Sequence, residues 1–334
     1  MSKILIIRFS SIGDIVLTTP VLRCIKKQLP DSEIHFLTKQ AYSLVIENNP
    51  YIDNHFYFDN DLSSVINRLR VEHYDYIIDL HHNLRSFLIK LTLRRKSFSF
   101  RKLNFRKWLL VNFKINRLPD IHIVDRYFET VKKIGVENDG LGLDFFIPGA
   151  SEIDIHSFLP ANFHTGYIAF VIGAKHNTKC LPANKLISIC RKLNMPIVLL
   201  GGKEDAEIGE DVTRMNTPIV YNACGKLSLQ QSASIIRQAE QVITHDTGLM
   251  HIAAAFQKKI ISVWGNTVPE FGMYPYFGSG MKDSKNMVEV NGLSCRPCSK
   301  IGYESCPRKH FRCMRDISEE KISELVASRS GYPA

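Results

Sequence analysis

Short apolar runs, rich in β-branched and aromatic residues, alternate along the chain with longer amphipathic stretches. This alternation is typical of βαβ units and parallel sheets. In the first half it predicts strands at residues 4–8, 34–38, 55–58 and 76–79, and helices at 15–28, 62–70 and 124–134. In the second half it predicts strands at 167–172, 197–200, 241–244 and 260–264, and helices at 183–193, 204–215, 230–238 and 249–256. A last helix is predicted at 318–328, with Ser318 as its N-cap.

The two series of elements are separated by residues 147–165, which contain Pro148, Gly149 and Pro160 and follow neither period. We interpret this stretch as an interdomain linker. A chain of 334 residues is also too long for one ordinary core. The predicted fold class is therefore α/β, with domains at residues 1–155 and 156–316 and a C-terminal helix at 317–334 that could pack back on the first domain.

Composition narrows the class of protein. Hydrophobic residues make up 45% of the chain and charged residues 23%, which is usual for a folded globular protein. The opening apolar run covers only residues 4–7, and no later run approaches the 18 residues of a spanning helix. We therefore expect a cytoplasmic location.

The net charge of +10 is concentrated in residues 94–117, which hold nine Lys or Arg and no acid. The same segment contains five aromatic residues, namely Phe98, Phe100, Phe105, Trp108 and Phe113. This mixture suits a membrane surface, a phosphorylated glycolipid or nucleic acid. It is equally the composition of a solvated helix and loop whose apolar side chains turn inward.

Half of the eight cysteines cluster near the C-terminus, as Cys295, Cys298, Cys306 and Cys313, with His310 in the last interval. A Cys-x-x-Cys pair with two further thiols could close a tetrahedral zinc site. The later spacing does not repeat that pair, so inert thiols are the alternative. The other four cysteines are scattered and are expected to be small core residues.

The first strand runs directly into a polar turn and a helix, with the sequence RFSSIGD. Ligands in open α/β sheets bind beyond the carboxyl ends of the strands, which is where Asp14 would lie. Asp14 could accept a proton from a sugar hydroxyl, or it could only cap the helix. Ser10, Ser11 and Gly13 leave the backbone open to a ligand. The absence of GxGxxG argues against a dinucleotide dehydrogenase.

Three strand ends in the second half carry polar residues that suit a nucleotide ligand. Asp246, Thr247 and Gly248 open a helix whose N-terminus suits phosphate oxygens, although ordinary capping is the alternative. Thr178 and Lys179 could hold a diphosphate and neutralise charge on a leaving group. An acid at another strand end, Glu204, could bind ribose hydroxyls. Together these residues predict a nucleotide-diphosphate site.

The order and spacing of several segments resemble the bacterial lipopolysaccharide heptosyltransferases, glycosyltransferase family 9, over essentially the whole chain. The segments are RFSSIGD, YDYIIDLHHNLRS, HIVDRYFETVKKIG, GAKHNTKCLP, GGKEDAE, THDTGLMHIAAAF and the tail CRPC, CP and CMRDI. The resemblance implies a GT-B architecture, in which two Rossmann-like domains face each other across a central cleft. It further implies an inverting, metal-independent transfer of heptose from ADP-heptose to the lipopolysaccharide inner core, onto Kdo or heptose on lipid A.

The resemblance also assigns roles. It places the catalytic base at Asp14 and acceptor contacts at Ser10, Ser11, Gly13, Arg85 and Arg126. The donor contacts that it implies are Thr178, Lys179, Glu204, Leu227, Ser228, Asp246, Thr247, Gly248, Leu249 and His251. No cofactor is implied, and the zinc interpretation of the tail is weakened. Expected partners are the nucleotide sugar, a Kdo–lipid A glycolipid and the inner face of the cytoplasmic membrane, without nucleic acid.

This chain departs from the family pattern at Cys180 and His245, which puts the exact sugar in doubt more than the reaction. A different nucleotide sugar is therefore one alternative. A nucleotide-sugar-binding protein without turnover is a second, supported by the basic stretch and opposed by the intact Asp14.

Overall fold

A computed structural model describes residues 2–59, 61–216, 218–278 and 283–328. Contacts divide the chain into two units. Unit 1 comprises residues 1–103, 121–146 and 276–281, and unit 2 comprises residues 104–120, 147–275 and 282–334. The main division thus falls at residue 146 rather than 155, and unit 2 includes a short segment from the first half of the sequence.

The first half of the chain forms five strands and six helices among the described residues. In chain order they are β1 (Lys3–Ile7), α1 (Ile12–Val16), α2 (Thr19–Gln28), β2 (Glu33–Lys39), β3 (Asn54–Phe58), α3 (Leu62–Arg70), β4 (Tyr76–Asp79), α4 (Leu84–Leu93), β5 (Lys96–Ser99), α5 (Asn104–Phe113) and α6 (Ile123–Val131). The strands form a parallel sheet in the order β3-β2-β1-β4-β5. β1 lies at its centre and is buried along most of its length, as its apolar run predicts.

The helix predicted at residues 15–28 is wrong in one respect, because it is two helices that break at Leu17 and Thr18. Pro20 occupies the first turn of α2, where a missing N–H is harmless, whereas a continuous helix would press its ring against the carbonyl of Val16. The hydroxyls of Thr18 and Thr19 donate to the Ile15 and Val16 carbonyls, at 2.7 and 2.8 Å, and satisfy the end of α1.

The second half continues the numbering with α7 (Ile155–Phe158), β6 (Ile168–Val171), α8 (Ala183–Lys192), β7 (Ile197–Leu200), α9 (Ala206–Arg214), β8 (Val220–Asn222), α10 (Leu229–Gln238), β9 (Gln241–His245), α11 (Gly248–Ala255), β10 (Lys259–Trp264), β11 (Met287–Glu289), α12 (Arg312–Arg315) and α13 (Glu319–Ala327). Its strands form a second parallel sheet in the order β11-β10-β9-β6-β7-β8. The edge strands β8 and β11 have only three residues each, which is too few to show a pattern.

The last helix packs within unit 2. Ser318 caps it as predicted, because its hydroxyl accepts the N–H of Lys321 at 3.1 Å. Ile322 is buried in the same core cluster as the apolar face of α8, and Glu319 pairs with Lys185 at 3.0 Å. The expectation that this helix packs back on the first domain is therefore corrected: its apolar residues are covered by α8 and the neighbouring sheet. Residues 329–334 of that prediction lie outside the described residues.

In the part of the chain that the structure describes, no helix has the length and apolar character needed to cross a bilayer.

Candidate active site

Asp14 lies in the first turn of α1, immediately beyond the carboxyl end of β1. Its Oδ2 accepts the Ser11 hydroxyl at 2.8 Å and the Ser11 N–H at 3.1 Å, and its Oδ1 forms an ion pair with Arg8. The side chain keeps 20% of its surface exposed. The carboxylate is therefore oriented by three donors while one side stays accessible, as a base for an incoming hydroxyl requires.

Arg8 is buried and forms the support beneath this carboxylate. Its Nε donates to the Ser10 carbonyl at 3.0 Å, and its Nη1 donates to the Leu80 carbonyl. Burial by itself lowers the pKa of the guanidinium, but the carboxylates of Asp14 and Asp79 outweigh it and raise that pKa above its ordinary value. Arg8 is thus a permanent cation that pairs with the Asp14 carboxylate.

A histidine at the end of the neighbouring strand is kept neutral. His81 packs on Phe9 with ring centroids 4.7 Å apart. Burial lowers the pKa of His81 to about 3, and the positive charges of Arg8 and Lys102 act in the same direction. The neutral imidazole therefore adds no second positive charge beside Arg8 and Asp14.

The two arginines predicted to contact the acceptor differ in burial. Arg85 is exposed on the first turn of α4. Arg126 is buried on α6, where its Nη1 donates to the Arg101 carbonyl at 3.3 Å. Its Nε and Nη2 are buried without a hydrogen-bond partner among the described residues, and burial lowers the pKa of its guanidinium. Because an unpaired buried cation is costly, Arg126 is suited to receive an anionic ligand group.

In unit 2 the predicted donor residues follow four strands that are neighbours in the sheet. Asp246 follows β9, Lys179 follows β6, Glu204 follows β7 and Leu227 follows β8. Since parallel strands lie about 4.8 Å apart, these four strand ends span about 14 Å along one sheet edge. An elongated ligand can therefore lie along that edge and meet each residue in turn.

Lys179 and Asp246 form the polar centre of this edge. The Lys179 Nζ lies 2.6 Å from Asp246 Oδ2 and 3.2 Å from the Asp246 carbonyl oxygen. Thr267, which follows β10, donates its hydroxyl to the same Oδ2 at 3.0 Å. A carboxylate is a poor neighbour for a diphosphate, so the geometry gives Asp246 the role of holding the Lys179 ammonium in place.

Thr178 anchors the loop that carries Lys179. Its hydroxyl donates to the Tyr303 carbonyl at 3.0 Å and accepts the Tyr303 N–H at 2.8 Å. His245, fully buried at the end of β9, accepts the Leu181 N–H at 3.1 Å, and burial lowers its pKa to about 3. The departure from the family pattern at His245 is thus a packing contact that fixes the backbone just after Lys179.

Replacing Thr178 by Val should cost stability, because the change keeps the side-chain volume but leaves the Tyr303 N–H without its hydroxyl partner. We expect the free energy of unfolding to fall by about 1–3 kcal/mol in urea titrations. The exposed Thr165→Val is the matched control. Unchanged stability together with weaker ADP binding would instead show that Thr178 contacts the donor, as its sequence position predicts.

The N-terminus of α11 faces the same edge. Thr247 is its N-cap, and Gly248 and Leu249 are its first residues, whose N–H groups have no partner within a helix. His251 is buried one turn further on. The first turn of this helix provides backbone donors and a favourable dipole for phosphate oxygens.

The outer part of the edge is shaped by two further loops. Glu204 is exposed beyond β7, and the neighbouring Asp205 accepts the Gly202 N–H at 2.8 Å. The Asp205 carboxylate also lies against Gly173, where a side chain would collide with it. Ser228 caps α10 through the Gln231 N–H at 3.2 Å, so its hydroxyl is used by that helix, and the neighbouring Leu227 is half-buried.

A model of glycosyltransferase family 9 (heptosyltransferase) matches residues 62–306. The chain belongs to glycosyltransferase family 9. It is therefore an enzyme that transfers a sugar, and the non-enzymatic alternative of a pure binding protein is set aside.

Several family 9 relatives are similar over most of the chain. Lipopolysaccharide heptosyltransferase 1 of Campylobacter coli is 24% identical, over 98% of this chain and 99% of that protein. Lipopolysaccharide heptosyltransferase 3 of Escherichia coli is 26% identical, over 76% and 81%. The solved structure of E. coli ADP-heptose lps heptosyltransferase II matches with a TM-score of 0.70 and 19% identity, over 97% of each chain. This likeness and the two parallel α/β units confirm the predicted GT-B fold.

Sequence reasoning missed three residues that support the predicted side chains: Arg8, beside Asp14 in unit 1, and Thr267 and Tyr303, beside Asp246 and Thr178 in unit 2. Arg8 stands inside the RFSSIGD segment, at the end of a buried strand where a charged residue needs a partner, and that signal could have identified it. Thr267 and Tyr303 contact the site through loops far away in sequence, and no local pattern indicates them.

The clustered cysteines lie in unit 2 with Cys295 Sγ 3.7 Å from His310 Nε2. Burial raises the pKa of the Cys298 thiol, and nearby Cys295 and Cys306 raise it further. Among the described residues, the metal-type ligand atoms that approach within 4.8 Å of one another belong instead to Glu33, His35 and Glu72 in unit 1. The Lys3 ammonium, 2.9 Å from Glu72, already supplies the positive charge there. The zinc interpretation of the cysteine tail stays a prediction.

Proposed function

We propose that this family 9 enzyme transfers heptose from ADP-heptose to the inner core of lipopolysaccharide, with inversion at the anomeric carbon. The observation that carries the proposal is the oriented pair of Asp14 and Arg8 beyond β1, in a chain whose second unit carries Lys179 and the α11 N-terminus at its own sheet edge. The similarity to lipopolysaccharide heptosyltransferases and to an ADP-heptose lps heptosyltransferase supports the sugar, the nucleotide and the class of acceptor.

Asp14 acts as the general base. It takes the proton from the acceptor hydroxyl as that oxygen attacks the anomeric carbon, and the bond from this carbon to the diphosphate oxygen breaks. One-step displacement inverts the configuration. Arg8 is a positioning residue, since it touches Asp14 and holds the carboxylate in one orientation.

The departing ADP carries developing negative charge, which Lys179 and the backbone N–H groups of Gly248 and Leu249 would stabilise. Glu204 would accept ribose hydroxyls, and the backbone beside Leu227 would lie along adenine. These positions follow the order of strand ends along the sheet edge, from β9 to β8.

The acceptor is proposed to be an anionic glycolipid of the Kdo–lipid A type, reached at the inner face of the cytoplasmic membrane. The sequence identities to heptosyltransferases 1, 3 and II are similarly low, at 24%, 26% and 19%, and do not single out one transfer step. The proposal therefore names the inner core as the class of acceptor. Arg126 supports an anionic acceptor, because two of its guanidinium nitrogens are buried without a partner among the described residues.

Arg126→Met should raise the KM for the acceptor by about 10-fold to 100-fold, the loss expected for one charge-assisted contact, while the KM for the donor stays unchanged. Initial rates with each substrate varied in turn measure both constants. Arg106→Met, at an exposed cation of α5, serves as the control. Equal effects on both KM values would contradict an acceptor role.

We further propose that the transfer needs no metal ion, since Lys179 and the α11 N-terminus can neutralise the leaving diphosphate. Pre-treatment with EDTA should leave the transfer rate unchanged, as measured by ADP release. A lost rate that Mg²⁺ restores would contradict this, whatever metal content the cysteine tail shows in elemental analysis.

A donor panel tests the proposed function. Purified protein is mixed with Kdo–lipid A and, separately, ADP-heptose, ADP-mannose, UDP-glucose or GDP-mannose, and release of the nucleoside diphosphate is followed with and without acceptor. We expect acceptor-dependent release with ADP-heptose and slower release with ADP-mannose. Acceptor-dependent release from the uridine or guanosine sugar alone would keep the family 9 reaction but overturn the proposed donor.

A further inference from the structure

Helix α4 exposes a continuous row of large apolar side chains. Leu84, Phe87, Leu88 and Leu91 keep 73%, 52%, 40% and 59% of their surface exposed. Their spacing of i, i+3, i+4 and i+7 places all four on one side of the helix. We call these four residues the α4 face. Such a patch on an otherwise folded surface marks a binding surface.

The opposite side of α4 is firmly attached to unit 1, so the α4 face is held in a fixed direction. Ser86 and Lys90 both contact the buried Asp79 carboxylate, at 2.8 and 2.7 Å. Asn83 caps the helix by accepting the Ser86 N–H at 2.9 Å. Ile89 is buried in the core of the unit.

The chain around the α4 face is strongly basic. Residues 80–119 contain eleven Lys or Arg and no acid. Within unit 1, Arg94, Arg95 and Lys96 directly follow α4, and all three are exposed. An apolar row followed by exposed cations matches a bilayer with anionic headgroups, where the row enters the interface and the cations meet phosphates.

The α4 face is also placed for the reaction. β4, which leads into α4, pairs with β1 so that Asp79 lies beside Ile7 in the register. α4 therefore starts at the same sheet edge at which Asp14 follows β1. A lipid-linked acceptor held in a bilayer under α4 would have its sugar near the base.

We propose that the α4 face, with Arg94, Arg95 and Lys96, is the surface by which this protein lies on an anionic membrane. The inference deepens the proposed function, since it assigns the part of unit 1 that meets the lipid carrying the acceptor. A second copy of the chain would bury the same apolar row but would gain nothing from the cations, and its own basic segment would be repelled.

Vesicle sedimentation tests the proposal. Wild-type protein is mixed with vesicles of phosphatidylethanolamine and phosphatidylglycerol, and in parallel with vesicles of phosphatidylcholine alone. Two double variants address the surface: Phe87→Ser with Leu91→Ser, and Arg94→Gln with Arg95→Gln. Matched controls change exposed residues elsewhere in unit 1: Val71→Ser with Leu141→Ser, and Lys132→Gln with Lys133→Gln. Circular dichroism establishes that each variant is folded.

We expect wild type and both controls to sediment with the anionic vesicles. Both α4 variants should bind these vesicles at least about tenfold more weakly than wild type. Binding of the serine variant at the wild-type level would overturn the proposal. So would a wild-type dimer, seen by sedimentation velocity, that the serine variant loses while its vesicle binding is unchanged.

Transfer assays separate this inference from the proposed function. With a deacylated, water-soluble Kdo acceptor, the α4 variants should match wild type. With the acyl-chain acceptor embedded in anionic vesicles, they should be slower by about the same factor as their vesicle binding. Reduced transfer to both acceptors would overturn the membrane role in favour of a structural one. No transfer by wild type to either acceptor, with vesicle binding intact, would refute the proposed function and leave the docking surface supported.

Discussion

Asp14→Asn should reduce kcat by about 10²-fold to 10⁴-fold, the usual contribution of a general base. The amide keeps the size of the side chain and can still accept the Ser11 hydroxyl, but it cannot take a proton. It also loses the charge that pairs with Arg8. Steady-state rates at saturating donor and acceptor measure the effect, and calorimetry with ADP should show unchanged affinity, because the residues proposed to bind the nucleotide lie in unit 2.

Asp31→Asn, at an exposed carboxylate of unit 1, is the control for this prediction and should behave as wild type. A turnover of Asp14→Asn close to that of wild type, in protein with an unchanged circular dichroism spectrum, would remove Asp14 from the role of base. In that case Asp14 would serve only to cap α1 through Ser11 and to pair with Arg8.

Lys179→Met should lower kcat by about 10²-fold to 10³-fold, as expected when one donor to a developing negative charge is lost. Methionine keeps the length of the aliphatic stem, so the loop held by Thr178 and His245 is left in place. The decrease in kcat should be larger than the increase in the KM for the donor, because the charge on the diphosphate grows as the bond to the sugar breaks.

The exposed Lys175, in the same loop, provides the control Lys175→Met, which should change neither constant appreciably. Asp246→Asn should produce a smaller loss than Lys179→Met, since it loosens the ammonium without removing it. An Asp246 variant that is more impaired than the lysine variant would show that Asp246 itself contacts the sugar.

Local sequence patterns were sufficient for the central strands of both sheets. β1, β6 and β9 are buried on both faces, and a continuous apolar run is what such a strand requires. Residues that follow the strands of a parallel sheet lie along one edge of that sheet, which is why Asp14 was expected beyond β1, and Lys179 and Asp246 beyond β6 and β9 of the other sheet.

Elements whose environment is set by the rest of the fold were harder to predict. α4 is apolar on its exposed side as well as its buried one, so it shows no clear helical period. α5 belongs to unit 2 although its sequence neighbours belong to unit 1, and no local signal indicates that change of unit. The contact of Thr178 with Tyr303 joins residues 125 positions apart, and no local pattern indicates it.

The most direct test of the account is a mass spectrum of Kdo–lipid A after incubation with wild-type protein and ADP-heptose. We predict one added heptose per acceptor and an equal amount of ADP, with no product from Asp14→Asn over the same time. Hydrolysis of ADP-heptose without an acceptor product, or transfer that proceeds at the wild-type rate in Asp14→Asn, would contradict it.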